Sequence, residues 1–514
     1  MKFLEGITPR EYQQKIFETC IKRNCLVVLP TGLGKTLIAL MLTIDRMQKF
    51  PGEKVVILAP TKPLVEQHLK SFKKHLPGLF ADIQIFTGAI NATKRKGIWR
   101  TADIIFSTPQ CVANDIKKNL YDLSEVCLLV EDEAHRCVKN YDYNFLAKKY
   151  LNQSINPRIV GLTASPGSDT QKIKEICRNL SIQEVELRTR ESVDVKKYLQ
   201  EIEYEKVHVD LPVEFEEMRH VLKKLFDRYV EELRIRKVLF GPVSKIALIN
   251  LQRKIMGTLA RGGKNFNYML GASACAQAIK IHHALELLET QTLDGFNKYL
   301  KKLFDEAAKK KSKGVINLVK NPEFNYVFMT SIELLTKGVE HPKIEKLLEI
   351  VKREKEKNEN LKIIIFTQFR DSAVVISKKL NNISEFEAKV FVGQAKKNGL
   401  GMNQKEQKKI IEEFSENKIN ALCATCIAEE GLDIPEVNAV IFYEPVSSAI
   451  RTIQRAGRTA RLQKGKLIML ITKKTKDEWS FYASRSREKK MGKAIADVQE
   501  ELVNKGKFDF QRKL

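Results

Sequence analysis

Short apolar runs alternate with longer amphipathic stretches in two separate parts of the chain. Between residues 25 and 165 the runs read as strands at 25–29, 54–59, 83–86, 103–107, 126–130 and 158–163, each followed by a segment whose apolar positions recur at helical spacing. Residues 126–130 (Val-Cys-Leu-Leu-Val) are apolar throughout, as strands covered on both faces are. The alternation predicts a doubly wound parallel α/β sheet. A second series, at 362–366, 388–392, 419–424, 439–443 and 466–471, predicts a second sheet of the same kind. Between about 200 and 345 the rhythm breaks. Leu, Lys and Glu there recur at helical spacing and β-branched runs are scarce, which predicts an inserted, mainly helical domain. The expected units are residues 1–200, the insertion 201–345, a second lobe 346–472 and a charged helical extension 473–514.

Only the first series carries a glycine-rich turn. Strand 25–29 runs into Leu29-Pro30-Thr31-Gly32-Leu33-Gly34-Lys35-Thr36 and then into a helical pattern. This is a shortened form of the phosphate-loop pattern G-x-x-x-x-G-K-[ST], in which Leu29-Pro30-Thr31 replaces the first glycine. Thr31, Gly32 and Gly34 would bring backbone N–H groups and a helix N-terminus onto phosphates. Lys35 would meet the β/γ-phosphates of ATP and Thr36 its Mg²⁺. A lone Gly-Lys-Thr reads equally well as a surface turn. What removes that alternative is the strand 126–130, which delivers Glu131, Asp132 and Glu133 to the carboxyl edge of a parallel sheet, where open α/β folds bind ligands. Asp132 would hold the Mg²⁺ with Thr36, and Glu133 would orient and deprotonate the attacking water.

Charge narrows the partner. The 514 residues hold 89 Lys and Arg against 63 Asp and Glu, a formal net charge of +26, which favours a polyanion, with nucleic acid first. Within the insertion the bases gather at Arg234, Arg236, Lys237, Arg253, Lys254, Arg261 and Lys264. The run Lys309-Lys310-Lys311-Ser312-Lys313 reads as a solvated loop. Nine scattered cysteines, an odd number, exclude a disulfide framework and point to a reducing compartment. Cys423 and Cys426 have metal-site spacing but no second pair, so they read as strand packing. His282 and His283, in an apolar helical pattern, read as ordinary core or surface histidines. No signal-peptide core occupies residues 1–20 and no run of eighteen apolar residues occurs; a cytoplasmic, nucleoid-associated protein without a membrane partner is expected.

Further motifs follow in a fixed order. They are Arg10-Glu11-Tyr12-Gln13, Ala59-Pro60-Thr61-Lys62-Pro63, Thr87-Gly88, Thr108-Pro109-Gln110, Asp132-Glu133-Ala134-His135 and Thr163-Ala164-Ser165 in the first part. The second part continues with Phe366-Thr367-Gln368-Phe369-Arg370, Ala424-Thr425, Glu430-Gly431-Leu432-Asp433-Ile434-Pro435, and Gln454-Arg455-Ala456-Gly457-Arg458-Thr459-Ala460-Arg461. This order resembles that of superfamily-2 helicases over nearly the whole chain. The stretches 391–395 and 443–451, with the insertion, are most similar to the branch of archaeal Hef and the Fanconi-anaemia M translocases. Dicer and the innate-immune RNA sensors share the insertion and are the nearest rivals.

The resemblance implies two RecA-like lobes closing on ATP, with a helical insertion between them. It makes Gln13 an adenine reader, places Gly431 and Asp433 against the nucleotide, and puts Gln454, Arg458 and Arg461 in the catalytic set, the two arginines as fingers. It makes Thr61, Lys62, Thr87, Gly88, Thr108, Thr367, Arg370 and Thr425 phosphate contacts to a nucleic-acid strand, binding without reading bases. Arg253, Lys254, Arg261 and Lys264 would grip duplex beside a branch point. The implied activity is that of an ATP-dependent DNA helicase or translocase on forks and junctions. The alternative is an ATP-gated clamp on double-stranded RNA without unwinding. A separate nuclease or replication clamp is an expected partner, because the chain carries no nuclease motif of its own and no nuclease activity is expected of it. Two positions depart from the family pattern: Ala460, where Gly is usual, and Cys426, where Ser is common.

Overall fold

The computed structural model describes residues 3–262, 266–310, 312–394, 401–428, 432, 434–459 and 464–511. Lys264, Gly431, Asp433, Ala460 and Arg461 therefore lie outside the described residues. The first lobe is a seven-stranded parallel sheet. Its strands are β1 (Cys25–Val28), β2 (Lys54–Leu58), β3 (Ile83–Phe86), β4 (Ile104–Ser107), β5 (Val126–Asp132), β6 (Ile159–Thr163) and β7 (Glu184–Leu187), in the order β3-β4-β2-β5-β6-β1-β7. β1, β2, β4 and β5 are buried along their whole length, because crossover helices cover both faces. One face packs around Leu26, Val56 and Leu129 and the other around Val27, Ile57 and Val130.

The second lobe is a six-stranded parallel sheet of β8 (Ile202–Val209), β9 (Ile363–Phe366), β10 (Ala388–Phe391), β11 (Ala421–Ala424), β12 (Ala439–Phe442) and β13 (Gly465–Thr472). Its order is β10-β11-β9-β12-β13-β8. The strands expected at the apolar runs are present, and the two sheets with a helical insertion match the expected α/β class. β7 and β8 were not legible in the sequence. Both are edge strands rich in glutamate, and β8 alternates half-buried with exposed positions. A Glu- and Lys-bearing half-exposed strand is hard to tell from an amphipathic helix over eight residues. As a result, residues 202–209 belong to the second sheet rather than to the insertion, whose helices run from Val213 to Thr336.

The insertion has two cores. The inner one, around Phe215, Leu222, Phe296 and Phe324, adjoins the second lobe. The outer one, around Leu233, Leu248, Ile255 and Cys275, forms the tip. Buried polar contacts fix the inner part to the second lobe: Gln291 Oε1 accepts from Thr367 Oγ1 at 3.3 Å and Ser372 Oγ at 2.8 Å. Lys343 is wholly buried, pairs with Asp477 and donates to the Thr290 carbonyl at 3.2 Å. The long helix Lys476–Gln511 leaves the second lobe at Phe481 and returns to the first, where Met491, Ala494, Ile495 and Val498 enter its core. Cys423 is buried in β11, and His282 and His283 pack in the insertion against Phe226 and Tyr299. Among the described residues no helix is long and apolar enough to cross a membrane.

Candidate active site between the lobes

β1 ends against β6, the Leu29 N–H donating to the Thr163 carbonyl, and the chain turns through Gly32 and Gly34 at φ of 85° and 79°. Those left-handed values suit glycine. A second constraint fixes Gly34: a β-carbon there would stand 2.3 Å from Gln13 Nε2. The helix Lys35–Lys49 begins directly after it, so its free N–H groups face the mouth of the turn. The Lys35 ammonium donates back to the Leu29 carbonyl at 2.9 Å.

The loop is braced from the helix Glu11–Lys22. Tyr12 Oη and Gln13 Nε2 both donate to the Leu33 carbonyl, at 2.8 and 3.0 Å, while Gln13 Oε1 accepts from the Arg10 N–H at 2.8 Å. In this conformation Gln13 braces the phosphate loop, and each end of its amide keeps one further hydrogen-bonding position, a second N–H and a second oxygen lone pair.

At the carboxyl end of β5 the three acidic residues part company. Glu131 faces the apolar layer, wholly buried, where burial pushes its carboxyl well above the ordinary range; it does not join the site. Asp132 turns the other way. Burial alone would push its carboxyl up, but the neighbouring His68, and then Lys35, bring it below its usual value. Glu133 sits at φ 53° and ψ 47°, left-handed backbone that a non-glycine residue adopts at a cost of about 1–3 kcal/mol and that clusters at functional sites. Its Oε2 lies 3.2 Å from His135 Nδ1. His135 Nδ1 is also 3.2 Å from Thr163 Oγ1, which donates to the Ser165 carbonyl at 3.0 Å. The acidic motif and Thr163-Ala164-Ser165 are thus one hydrogen-bonded unit.

Sequence reasoning missed His68. From the helix Lys62–His75 its Nε2 reaches Asp132 Oδ2 at 2.8 Å and its Nδ1 reaches Thr36 Oγ1 at 3.3 Å. The two residues expected to hold Mg²⁺ are therefore brought to opposite nitrogens of one ring. A hydroxyl and a carboxylate are the hard donors that Mg²⁺ takes, so the residue types fit the metal, while in this conformation the His68 ring stands between the two.

The second lobe meets the phosphate loop through the helix Ala449–Ala456 and the turn after it. Gly457 lies against Thr31. Next to it, buried Arg458 donates from Nη1 to the Leu432 carbonyl at 3.1 Å, and Gln454 is buried one turn earlier. Arg455, which the sequence did not single out, stacks wholly buried over Phe366 and Phe442 and ties this helix to β9 and β12.

The expected strand contacts of the first lobe form a row. Thr61, Thr87 with Gly88, and Thr108 follow β2, β3 and β4, which adjoin in the order β3-β4-β2. Thr61 and Thr108 open helices, Lys62 pairs with Glu66 at 3.6 Å, and Gly88 is exposed. The second lobe differs. Thr367 is wholly buried and its hydroxyl lies 3.3 Å from both Gln291 Oε1 and Glu444 Oε2, so it joins the insertion to the lobe and its hydroxyl is turned away from any strand. Thr425 is also buried, and Arg370 donates to the Gly393 carbonyl at 3.2 Å. On the insertion, Arg253, Lys254 and Arg261 are exposed along and just beyond the helix Lys245–Ala260.

A phosphate loop on one parallel sheet, faced by an arginine-bearing helix of another, is the arrangement of a nucleotide-driven motor. A DEAD/DEAH box helicase model matches residues 10–173, a helicase conserved C-terminal domain residues 342–463, and a helical bundle of ATP-dependent RNA helicases residues 214–338. The crystal structure of the Pyrococcus furiosus Hef helicase domain aligns with a TM-score of 0.73 at 41% identity, covering 94% of this chain and 100% of that one. The chain belongs to the DEAD/DEAH-box helicases of superfamily 2, in the branch of Hef and the Fanconi anaemia M helicases. MJ1505 of Methanocaldococcus jannaschii, whose name places it provisionally among ATP-dependent RNA helicases, is 39% identical over 95% of this chain. ATP-dependent DNA helicase fml1 of Schizosaccharomyces pombe is 33% identical over 92%, and the Fanconi anemia group M protein homolog of Mus musculus 30% over 96%. The chain spans 61%, 58% and 26% of these three relatives.

Proposed function

We propose that this chain is an ATP- and Mg²⁺-dependent DNA helicase or translocase that acts on branched DNA, such as forks and junctions, in fork repair or recombination. The observation that supports the proposal most is the seating of Gly457 against Thr31, which sets the turn next to Arg458 beside the phosphate loop, the guanidinium itself donating to the Leu432 carbonyl of its own lobe. Thr36 and Asp132 would hold Mg²⁺, which would neutralise phosphate charge. Lys35 binds the β/γ-phosphates, and Glu133 orients the attacking water. Arg458, and Arg461 beside it in sequence, supply positive charge only when the lobes close, so hydrolysis is tied to lobe motion. The row Thr61, Gly88 and Thr108 tracks a strand backbone. The exposed bases Arg253, Lys254 and Arg261 hold duplex near the branch. The DNA-helicase names of fml1 and its kin support the DNA assignment.

The name of the Methanocaldococcus relative and the helical-bundle match point to RNA instead, so the deciding experiment includes both polymers. ATP turnover is measured with forked DNA, linear single-stranded DNA and duplex RNA at equal nucleotide concentration. Forked DNA is expected to stimulate most. Stimulation by duplex RNA alone, with no strand separation, would replace the motor with an RNA clamp.

A further inference from the structure

The turn after β3 and the helix that opens at Thr108 are joined by a buried ion pair. Arg95, from the helix Ala92–Thr101, and Asp115, from the helix Pro109–Lys117, are 7% and 1% exposed. The guanidinium meets the carboxylate as a fork: Nε donates to Asp115 Oδ2 at 2.7 Å and Nη2 to Oδ1 at 2.5 Å. Its other amino group is turned toward residues 87–90, where Nη1 donates to the Thr87 carbonyl at 3.4 Å and to the Ile90 carbonyl. Tyr121 Oη donates to Asp115 Oδ2 at 2.9 Å, and the Tyr121 ring stacks on Trp99 at 3.9 Å. The pair is therefore enclosed by first-lobe core residues.

The turn itself is short and half in water. The Ile90 N–H donates to the Thr87 carbonyl at 3.0 Å, Thr87 is buried, and Gly88 and Ala89 are exposed. With both end carbonyls engaged by Arg95, the peptide groups at Gly88 and Ala89 form the outer edge. β3 and β4 are neighbours, so this edge and Thr108 follow adjacent strand ends, about 4.8 Å apart in the sheet. For stability alone an apolar pair would serve as well, because taking two charges out of water is costly. What an apolar pair lacks is direction. The planar guanidinium offers its N–H groups at fixed angles, and here they hold a turn and a helix at once.

We propose that Arg95 is a positioning residue for the nucleic-acid strand: it holds the turn 87–90 against the helix that begins after Thr108, so that the two loops meet one strand backbone in a fixed register before the strand arrives. The proposal rests on the strand-tracking role given above to Gly88 and Thr108. Arg95 is buried and its N–H groups are turned to protein oxygens, so its part is to order the turn and not to add positive charge to the strand. A turn ordered in advance spares the complex the entropy of ordering it on binding.

The test uses the full chain, single-stranded DNA and three substitutions. Arg95→Met keeps the length and removes the fork, and Arg95→Lys keeps the charge but offers one point in its place. Asp115→Asn leaves the guanidinium on the turn and one oxygen to accept from it. Strand affinity is measured by fluorescence anisotropy, ATP turnover is titrated with the same DNA, and binding of a fluorescent ATP analogue reports on the rest of the lobe. Arg95→Met and Arg95→Lys are expected to weaken strand binding about 10-fold, the cost of ordering a segment only on binding. The half-saturating DNA should rise by the same factor, with a smaller fall in turnover at saturation, while Asp115→Asn should retain most of the affinity. Native strand affinity in Arg95→Met overturns the proposal. So does an equal loss in Arg95→Met and Asp115→Asn, which would mark the broken ion pair, and so does full recovery in Arg95→Lys, which would mark a direct charge contact with the strand. Should Arg95→Met not fold, equal strand affinities of Arg95→Lys and Asp115→Asn overturn it. Failure of the parent function is distinguishable, since the native chain itself would then neither bind the strand nor be stimulated by it.

Discussion

Gly457 of the second lobe sits so close to Thr31 of the first that a β-carbon at 457 would lie 2.7 Å from Thr31 Cβ and 3.2 Å from its Oγ1. Neither position can yield cheaply, because Thr31 belongs to the phosphate loop and Gly457 is held by the hydrogen bond from its N–H to the Ile453 carbonyl at 3.0 Å. Gly457→Val should therefore hold the lobes apart. A misplacement of about 1 Å at a catalytic group costs on the order of 100-fold, so turnover should fall by about that factor while the ATP analogue still binds. Turnover at the native rate would show that this contact is not part of the catalytic cycle.

Glu133→Gln should separate binding from hydrolysis. Lys35, Thr36 and Asp132 remain, so affinity for ATP should stay within a few-fold of native, while loss of the carboxylate should lower turnover by about 10²–10⁴. Lys35→Ala should instead weaken binding itself. Equilibrium titration beside single-turnover hydrolysis distinguishes the two, and a fully active Glu133→Gln enzyme would remove Glu133 from the chemistry.

Glu444 gives a pH signature. It is buried between the insertion and the second lobe, and accepts from the Gln368 N–H and the Thr367 hydroxyl. Burial pushes its carboxyl up to about 7, against the opposing influence of Lys343 and Arg455. The folded pKa is the higher one, so its contribution to stability is complete below the ordinary value near 4.5 and is lost as pH rises through 7. Relative to Glu444→Gln, the native chain should lose on the order of 3 kcal/mol between pH 4.5 and 8. Urea unfolding across that range checks the sign: parallel curves for the two proteins would mean that Glu444 is ionised throughout.

Neutralising Arg253, Lys254 and Arg261 together should reduce the log–log salt slope of forked-DNA affinity by up to ~3, if all three meet phosphates. The preference for forks over single strands should shrink in parallel. An unchanged slope with an unchanged preference would leave these side chains as a solvated helix face and the two lobes as the whole DNA-binding surface.

The parallel strands of both lobes and the helical insertion were readable because buried strands are apolar throughout, a pattern that survives without tertiary information. The phosphate loop and Asp132-Glu133 were readable because their chemistry constrains residue type at fixed spacing. The remainder depended on long-range packing. His68 shares its helix with buried Leu64, Val65 and Phe72 and looks from sequence like another core position; only the fold brings it to Asp132. Thr367 carries the hydroxyl expected of a phosphate contact, yet Gln291, in the turn after the helix Phe266–Thr290, and Glu444 stand within hydrogen-bond reach of it. Glu131 sits beside two site acids in sequence but, by the two-residue repeat of a strand, points to the face opposite Asp132.

The register of β8 has a consequence for how the chain is made. Ile202 pairs with Gly465 and Val209 with Thr472, so β8 leaves the ribosome long before the strand that completes its ladder exists. The first lobe, apart from the later helix that closes over it, can assemble during synthesis. The second sheet must wait, with a glutamate-rich edge kept in water through the translation of the whole insertion and most of the second lobe. Non-local pairing of this kind is slow, and an unpaired edge is a hazard for association with other chains. The charges of Glu203 and Glu205, which later pair with Lys466, would keep that nascent edge soluble until its partner arrives.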